Sequence, residues 1–362
     1  MTVSTRQLTD AGQSIWLDNI RKGLLAEGTL EDYIRDLDVT GVTSNPSILE
    51  KAIAGSDEYD VAVRAHAAAG VTDPEQLVFA LALDDLGAGA DLLLPIFDAT
   101  GGRDGYVSVE VSPDLAHDAP GTVVAGRALF AQAGRPNVMI KVPGTAAGLV
   151  GVEELIAVGI PVNVTLLFSP GHYLGAAEAY LRGIERRRSQ GLPLAVGSVA
   201  SVFVSRWDTA ADVRIPAEHH GSLGIHMVQK TFGVFRDVMG SERWQKLEAG
   251  GAIPQRPLWA STSTKDPDLP DTYYVGRLAA PGSVDTVPEP TLLAFAEHGM
   301  AEAPLEPDLA HAERVIAEIA AHGVDVELLA ADLQRQGAQA FSASWASLLA
   351  EVGAKMTKLA AA

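Results

Sequence analysis

The stretch NVMIKVPGTAAGLVGVEELIAVGIPVNVTLLFS, residues 137–169, reads as strand, helix, strand. Residues 137–144 form an apolar run closed by Pro143-Gly144. TAAGLVGVEELIAVG has the length of one crossover helix, and residues 161–169 form a second β-rich run. Two such strands joined by a helix are the unit of a parallel sheet. One residue disturbs this reading. Lys141 puts an ammonium group in the middle of a strand whose neighbours are Val138, Met139, Ile140 and Val142.

The same alternation extends in both directions. SIWLDNI (14–20), DVTGVTSN (38–45) and YVSVEVSP (106–113) precede it. AVGSVASVFV (195–204), PLWASTST (257–264) and SVDTVPE (283–289) follow it. Helical patterns lie between them. SPGHYLGAAEAYLRGIERRRSQG opens on a Ser-Pro helix start and closes at glycine. DPEQLVFALALDDLGAGADLLLPIFDAT is helical but broken by Gly87, Gly89 and Pro95. Eight strands alternating with helices predict an α/β chain folded as a (β/α)8 TIM barrel. A doubly wound open sheet is the competing fold, and periodicity alone does not exclude it. Extra helices are expected at the N-terminus, over 205–256 and at the C-terminus, within a single domain spanning 1–362.

Composition narrows the function classes. The chain has 362 residues, 47% of them hydrophobic, enough for a large core. It has no cysteine, which removes disulfides and thiolate metal sites. A formal net charge of -19 argues against nucleic acid and anionic membrane surfaces as partners. No run reaches the ~18 apolar residues of a membrane span. The N-terminal MTVSTRQLTDAGQ has no apolar signal core, so a cytoplasmic location is expected.

In a barrel, inward residues near the C-terminal strand ends line the active site. Here those positions are polar on nearly every strand: Asp18, Ser44-Asn45, Glu110, Lys141, Asn163 with Thr165, Ser201 with the following Arg206, and Ser261, Ser263 and Lys265. Spacing of two puts Asn163 and Thr165 on one face, and also Ser261, Ser263 and Lys265 if the seventh strand runs that far. Singly, each has a plainer explanation. Asn45 before Pro46 suits a turn, Arg206 has Asp208 and Asp212 nearby, and Lys141 could pair with Asp18 or Glu110. The whole set is harder to explain that way. Burial disfavours the charged form of an amine, and a neutral amine attacks a carbonyl to form a Schiff base. Asp18 and Glu110 would then move the protons.

At these residues the chain resembles transaldolase, the class I aldol-transfer enzyme of the non-oxidative pentose phosphate pathway. The resemblance is carried in order by SIWLDNI, GVTSNPSI, DGYVSVEVSP, VMIKVPGT, VNVTLLFS, SVASVFVSRWD and LWASTSTKDP, and LLLPIFDATGGRDG is similar to the longer bacterial and plant-type branch. The resemblance implies a (β/α)8 barrel with its Schiff-base lysine on the fourth strand, at Lys141. It implies that Asp18 takes the C4 hydroxyl proton, and that Glu110 acts through a water positioned by Thr165. Asn45 and Asn163 would bind substrate hydroxyls, Ser201 and Arg206 the phosphate, and Phe203 would form an aromatic wall. The family's seventh-strand arginine is absent. Ser263 or Lys265 stands in its place, and lysine meets phosphate as a point charge rather than a fork. The implied substrates are sugar phosphates. The imine serves as electron sink, so neither cofactor nor metal is expected, and the protein would be a monomer or homodimer.

Three other readings compete. A fructose 6-phosphate aldolase-like enzyme would release free dihydroxyacetone, the difference lying in how water reaches the imine. A sugar-phosphate-binding barrel would need no carboxylates around a lysine. A metal enzyme would have to use His219-His220 and His226, which read as surface histidines.

Overall fold

The structure is a computed structural model describing residues 3–53, 56–302, 304–305 and 308–360. The ends of the expected 1–362 span, residues 1–2 and 361–362, therefore lie outside the described residues. Eight parallel strands close into one barrel in chain order. They are β1 (Ser14–Leu17), β2 (Val39–Thr43), β3 (Val107–Glu110), β4 (Val138–Pro143), β5 (Val162–Leu167), β6 (Ser198–Phe203), β7 (Gln255–Ala260) and β8 (Val284–Val287). β1 pairs with β8, which excludes the open sheet.

The sequence of the strands explains their burial. β4, β5, β6 and β7 are buried at every position, because helices cover one face and the barrel interior the other. Alternation then sorts the side chains. Ile140, Val142, Val162, Val164, Ala200 and Val202 point outward into the core under the helices. Trp16, Met139, Val199, Leu258 and Val284 form a separate cluster inside the barrel. Each fully buried aliphatic side chain contributes roughly 1.5–3 kcal/mol. Period two places Lys141 inward after Met139, and Ser201 and Phe203 inward after Val199. The ammonium in the apolar strand is thus an interior residue of the barrel.

The crossover helix between β4 and β5 is Ala146–Ala157, capped by Thr145, whose hydroxyl accepts from Gly148 N at 3.0 Å. The Ser-Pro start is also realised: Ser169 caps the helix Pro170–Ser189 by accepting from His172 N at 3.1 Å.

Three expectations need correction. The stretch with Gly87, Gly89 and Pro95 is one unbroken helix, Pro74–Ala99. Its buried face, including Leu77, Leu81, Leu86 and Leu93, docks on the barrel and outweighs the local propensities. Gly89 lies on that face, where an added Cβ would meet Ile20 and Val107 at 3.6 Å. β7 stops at Ala260, and Ser261 has a φ of 59°, so Ser261, Ser263 and Lys265 do not share a strand face. That left-handed residue turns the chain out of the sheet. His226 is not a surface residue. It is buried on the helix Leu223–Gly240, edge-on to His311 at 5.2 Å.

The extra helices lie where they were expected. Val3–Asp10 precedes β1. The 205–256 connection holds Ser205–Ala211, Leu223–Gly240 and Glu242–Glu248. The chain ends in Leu309–Ala321 and the 35-residue helix Val326–Ala360. No helix of the described residues is long and apolar enough to cross a membrane.

Candidate active site

A cavity of about 310 Å³ opens at the C-terminal ends of the strands. Register assembles its floor. Glu110 on β3 pairs with Lys141 on β4, and Lys141 with Asn163 on β5, so three polar side chains stand side by side across neighbouring strands. Lys141 Nζ lies 3.2 Å from Glu110 Oε2 and donates to the Ser44 carbonyl at 2.9 Å. The approach to Glu110 is an ion contact rather than an aligned hydrogen bond, and neither buried Glu110 oxygen has a hydrogen-bond partner. Burial pushes the Glu110 carboxyl above the usual glutamate range, while attraction to Lys141 pulls the other way.

Asp18 follows the last residue of β1 and lines the cavity. Its Oδ1 accepts from Thr43 Oγ1 at 2.9 Å. Burial raises its pKa above the usual aspartate range, against the pull of Lys141 and the Thr43 hydrogen bond. Two carboxyls whose pKa values burial raises stand beside one amine, where they can exchange protons with a bound substrate.

Asn163 is held at both ends, donating to Ser108 Oγ at 3.2 Å and accepting from Ser201 Oγ at 2.7 Å. Asn163 and Glu110 sit beneath the cavity wall, while Thr165, Ser201 and Phe203 are part of it. The Ser201 hydroxyl, which the resemblance assigns to the phosphate, is here the donor to Asn163 and also faces the cavity. The buried Thr165 Oγ1 has no partner. Asn45 takes the turn role, its side chain accepting from Ile48 N at 3.0 Å at the start of the helix Pro46–Ile53, and it also lines the cavity.

The cationic side lies beyond the strand ends, with Arg206 on the helix Ser205–Ala211 and Lys265 on the loop after β7. Arg206 rests over the Phe203 ring at 5.5 Å, and burial lowers its pKa. The alternative of a salt bridge to Asp208 or Asp212 is not realised. Asp208 accepts from Gly224 N at 3.0 Å and Tyr274 OH at 2.8 Å, and Asp212 accepts from Gly221 N at 3.1 Å. Lys265 is exposed and donates to Ser263 Oγ at 2.6 Å. Both line the cavity with Arg206. The loop carrying them is anchored by Thr262, whose hydroxyl donates to the fully buried Asp285 at 2.9 Å.

Among the wall residues that sequence reasoning did not single out are Lys51 and Phe341. Lys51 lies on a helix pattern with nothing to separate it from a solvated lysine. Phe341 lies in a C-terminal helix whose docking could not be read from the barrel motifs. Among the described residues, one trio could offer metal ligands: Asp212, His220 and Asp266, within 4.8 Å of one another. All three are half-buried and none neighbours Lys141.

Comparison with known proteins adds an independent line. The family model described as Transaldolase/Fructose-6-phosphate aldolase matches residues 15–352. A Frankia alni protein named Transaldolase is 42% identical over 359 residues, covering 97% of this chain and 96% of its own. An Arthrobacter protein of the same name is 41% identical, covering 97% of each chain. Transaldolase 2 of Streptomyces coelicolor is 40% identical, covering 99% of each.

Proposed function

We propose a mechanism from one premise: the chain belongs to the transaldolase/fructose-6-phosphate aldolase family, and its activity is that of a transaldolase. The substrates are sugar phosphates. The donor is a ketose phosphate such as sedoheptulose 7-phosphate or fructose 6-phosphate. The acceptor is an aldose phosphate such as glyceraldehyde 3-phosphate or erythrose 4-phosphate. The setting is the non-oxidative pentose phosphate pathway, in the cytoplasm.

The observation that carries the mechanism is the position of Lys141 Nζ, 3.2 Å from an under-bonded Glu110 and in one cavity with Asp18. The Lys141 amine attacks the C2 carbonyl of the donor. Glu110, its carboxyl held above the usual range by burial, supplies the proton with which the carbinolamine oxygen leaves as water. A water on the Thr165 hydroxyl relays it. The imine then withdraws electrons from C3. Asp18 removes the C4 hydroxyl proton, the C3–C4 bond breaks, and the aldose phosphate departs. The remaining three-carbon enamine attacks a new aldehyde, and hydrolysis frees the ketose and the amine. Asn45 and Asn163 orient hydroxyls, and Phe203 walls the sugar. Arg206, with Lys265 and Ser263, receives the phosphate in an otherwise acidic protein.

Borohydride reduction in the presence of fructose 6-phosphate, followed by peptide mass mapping, tests this. The label is expected on Lys141. A label on Lys51 or Lys265, the other lysines of the cavity, overturns the assignment.

A further inference from the structure

The helix Val326–Ala360 belongs to none of the eight strand–helix units, yet it supplies part of the cavity wall. It is fixed over the strand ends by specific contacts. Gln334 Nε2 donates to the carbonyls of Gly144 at 3.1 Å and Leu166 at 2.9 Å, bridging the ends of β4 and β5. Three residues on, Gly337 lets the helix lie against β5: a Cβ there would come within 2.8 Å of Leu166 Cδ2. Ser344 Oγ meets Ser47 Oγ at 2.8 Å, on the helix that follows β2. Lys355 Nζ pairs with Asp60 Oδ1 at 2.9 Å and also donates to the Ser56 carbonyl. Between the Gln334 and Ser344 anchors stands Phe341, 6% exposed, its ring centroid 5.7 Å from Lys141 Nζ. The ring lines the cavity with Lys141. A side chain pinned on both sides has little freedom to swing away.

The location matters once the carbon–carbon bond has broken, taking Lys141 as the Schiff-base residue. The three-carbon unit then waits as an enamine on the Lys141 nitrogen. In transfer, the enamine carbon forms a bond to the acceptor aldehyde carbon and the aldehyde oxygen takes a proton. One water then hydrolyses the iminium to the new ketose and the free amine. In release, the enamine carbon takes a proton instead. One water adds to the iminium, the C–N bond breaks, and dihydroxyacetone leaves with the amine restored. Both routes consume one water at the iminium. They differ in whether an aldehyde or a proton reaches the enamine carbon first.

We propose that Phe341 is a specificity-determining residue: its ring, held by the C-terminal helix, shields the enamine on Lys141 from water-borne protons, so that the three-carbon unit is transferred rather than released. Excluding water is a general means of suppressing such side reactions. The helix therefore sets the partition between transferase and aldolase chemistry, a difference that the strand motifs do not encode.

The test measures two products from fructose 6-phosphate in wild type, Phe341→Ala and Phe341→Leu. One is free dihydroxyacetone; the other is sedoheptulose 7-phosphate formed with erythrose 4-phosphate. Phe341→Ala is expected to raise the release-to-transfer ratio about tenfold or more, the change produced by ~1.4 kcal/mol between two barriers. Phe341→Leu, which keeps an apolar cover, stays near the wild-type ratio. Borohydride trapping is run alongside and labels Lys141 in all three. An unchanged ratio in Phe341→Ala with normal trapping overturns the proposal. Label on a different lysine in the wild type overturns the mechanism beneath it instead. If the alanine variant folds poorly, Phe341→Gln fills the space with a polar group, and an unchanged ratio there overturns the proposal equally.

Discussion

At the N-terminal end of the barrel, Arg256 approaches Asp104 to 3.4 Å; at the C-terminal end, Lys141 approaches Glu110 to 3.2 Å. Burial does not separate the pairs, with side-chain exposures of 10% and 8% against 6% and 4%. Hydrogen bonding does. Arg256 donates to the carbonyls of Gly282, Arg103 and Ser283 at 3.1, 3.2 and 2.6 Å, and to Ser14 Oγ at 2.6 Å. Asp104 accepts from Trp16 Nε1 at 2.8 Å, Thr40 Oγ1 at 3.0 Å and the Ser14 hydroxyl. Glu110 has only its ion contact, with both oxygens lacking hydrogen bonds, and Lys141 adds one carbonyl. A buried pair repays its desolvation only when its remaining valences are met. The lower pair meets that condition and serves the fold. The upper pair does not, and it stands at a cavity where a substrate can meet those valences.

The largest expected effect breaks the upper pair. Lys141→Ala should abolish turnover and borohydride trapping, because it removes the nitrogen on which the proposed imine forms. Folding should change little. Glu110 is already biased toward its neutral form by burial, so it can protonate once its partner is gone. Measurable turnover in Lys141→Ala, or a collapse of its thermal melt, would place this pair with the structural one.

Next come the carboxyls. Asp18→Ala and Glu110→Ala should each lower kcat by about a hundredfold to ten-thousandfold, the range for a lost acid or base. The two should differ in kind. Without Asp18 the imine still forms and can be trapped, but the C3–C4 bond does not break. Without Glu110, trapping itself slows. Single-turnover trapping rates distinguish them, and near-wild-type turnover in either variant would reduce that residue to packing.

The upper pair was legible in the sequence because a strand has period two. An apolar run that must be buried on both faces makes any charge within it conspicuous, and Lys141 and Glu110 are such charges. The eight strands were legible for the same reason. Arg256 was not singled out, because the strand was read from Pro257 and its register places Arg256 among the first residues of β7. Asp104 was invisible as a partner, since it lies far away in the chain, in a loop with ordinary turn composition. The 261–265 segment misled because a strand pattern carries no mark for the φ of 59° at Ser261. Phe341 was missed because docking of a terminal helix is decided by distant contacts such as Gln334 with Gly144.

The cations beyond the strand ends, Arg206 and Lys265, should give a smaller and more selective effect. Arg206→Ala should raise KM for phosphorylated acceptors about tenfold to a hundredfold, on the scale of a charge-assisted hydrogen bond or two. An unphosphorylated acceptor such as glyceraldehyde should be affected much less. Lys265→Ala should act in the same direction but more weakly, because Lys265 is exposed and solvent screens its charge. Equal losses with both acceptors would mean that Arg206 supports the wall through Phe203 rather than holding phosphate.

The smallest effect on turnover is expected from the lower pair, where the effect on stability should be largest. Arg256→Met removes the cation and leaves Asp104 buried with its charge uncompensated. It also strips donors from three backbone carbonyls. Breaking a buried pair from one side costs about 3–5 kcal/mol, and each carbonyl left unpaired adds to that. Chemical denaturation should show that loss directly. The folded fraction of the variant should still trap fructose 6-phosphate on Lys141 and turn over near the wild-type rate, because Arg256 lies on β7 at the end of the barrel opposite the cavity. If turnover per folded molecule instead falls with stability, the two ends are coupled through the interior cluster of Trp16, Met139 and Leu258. The division between a saturated pair for folding and an unsaturated pair for chemistry would then fail.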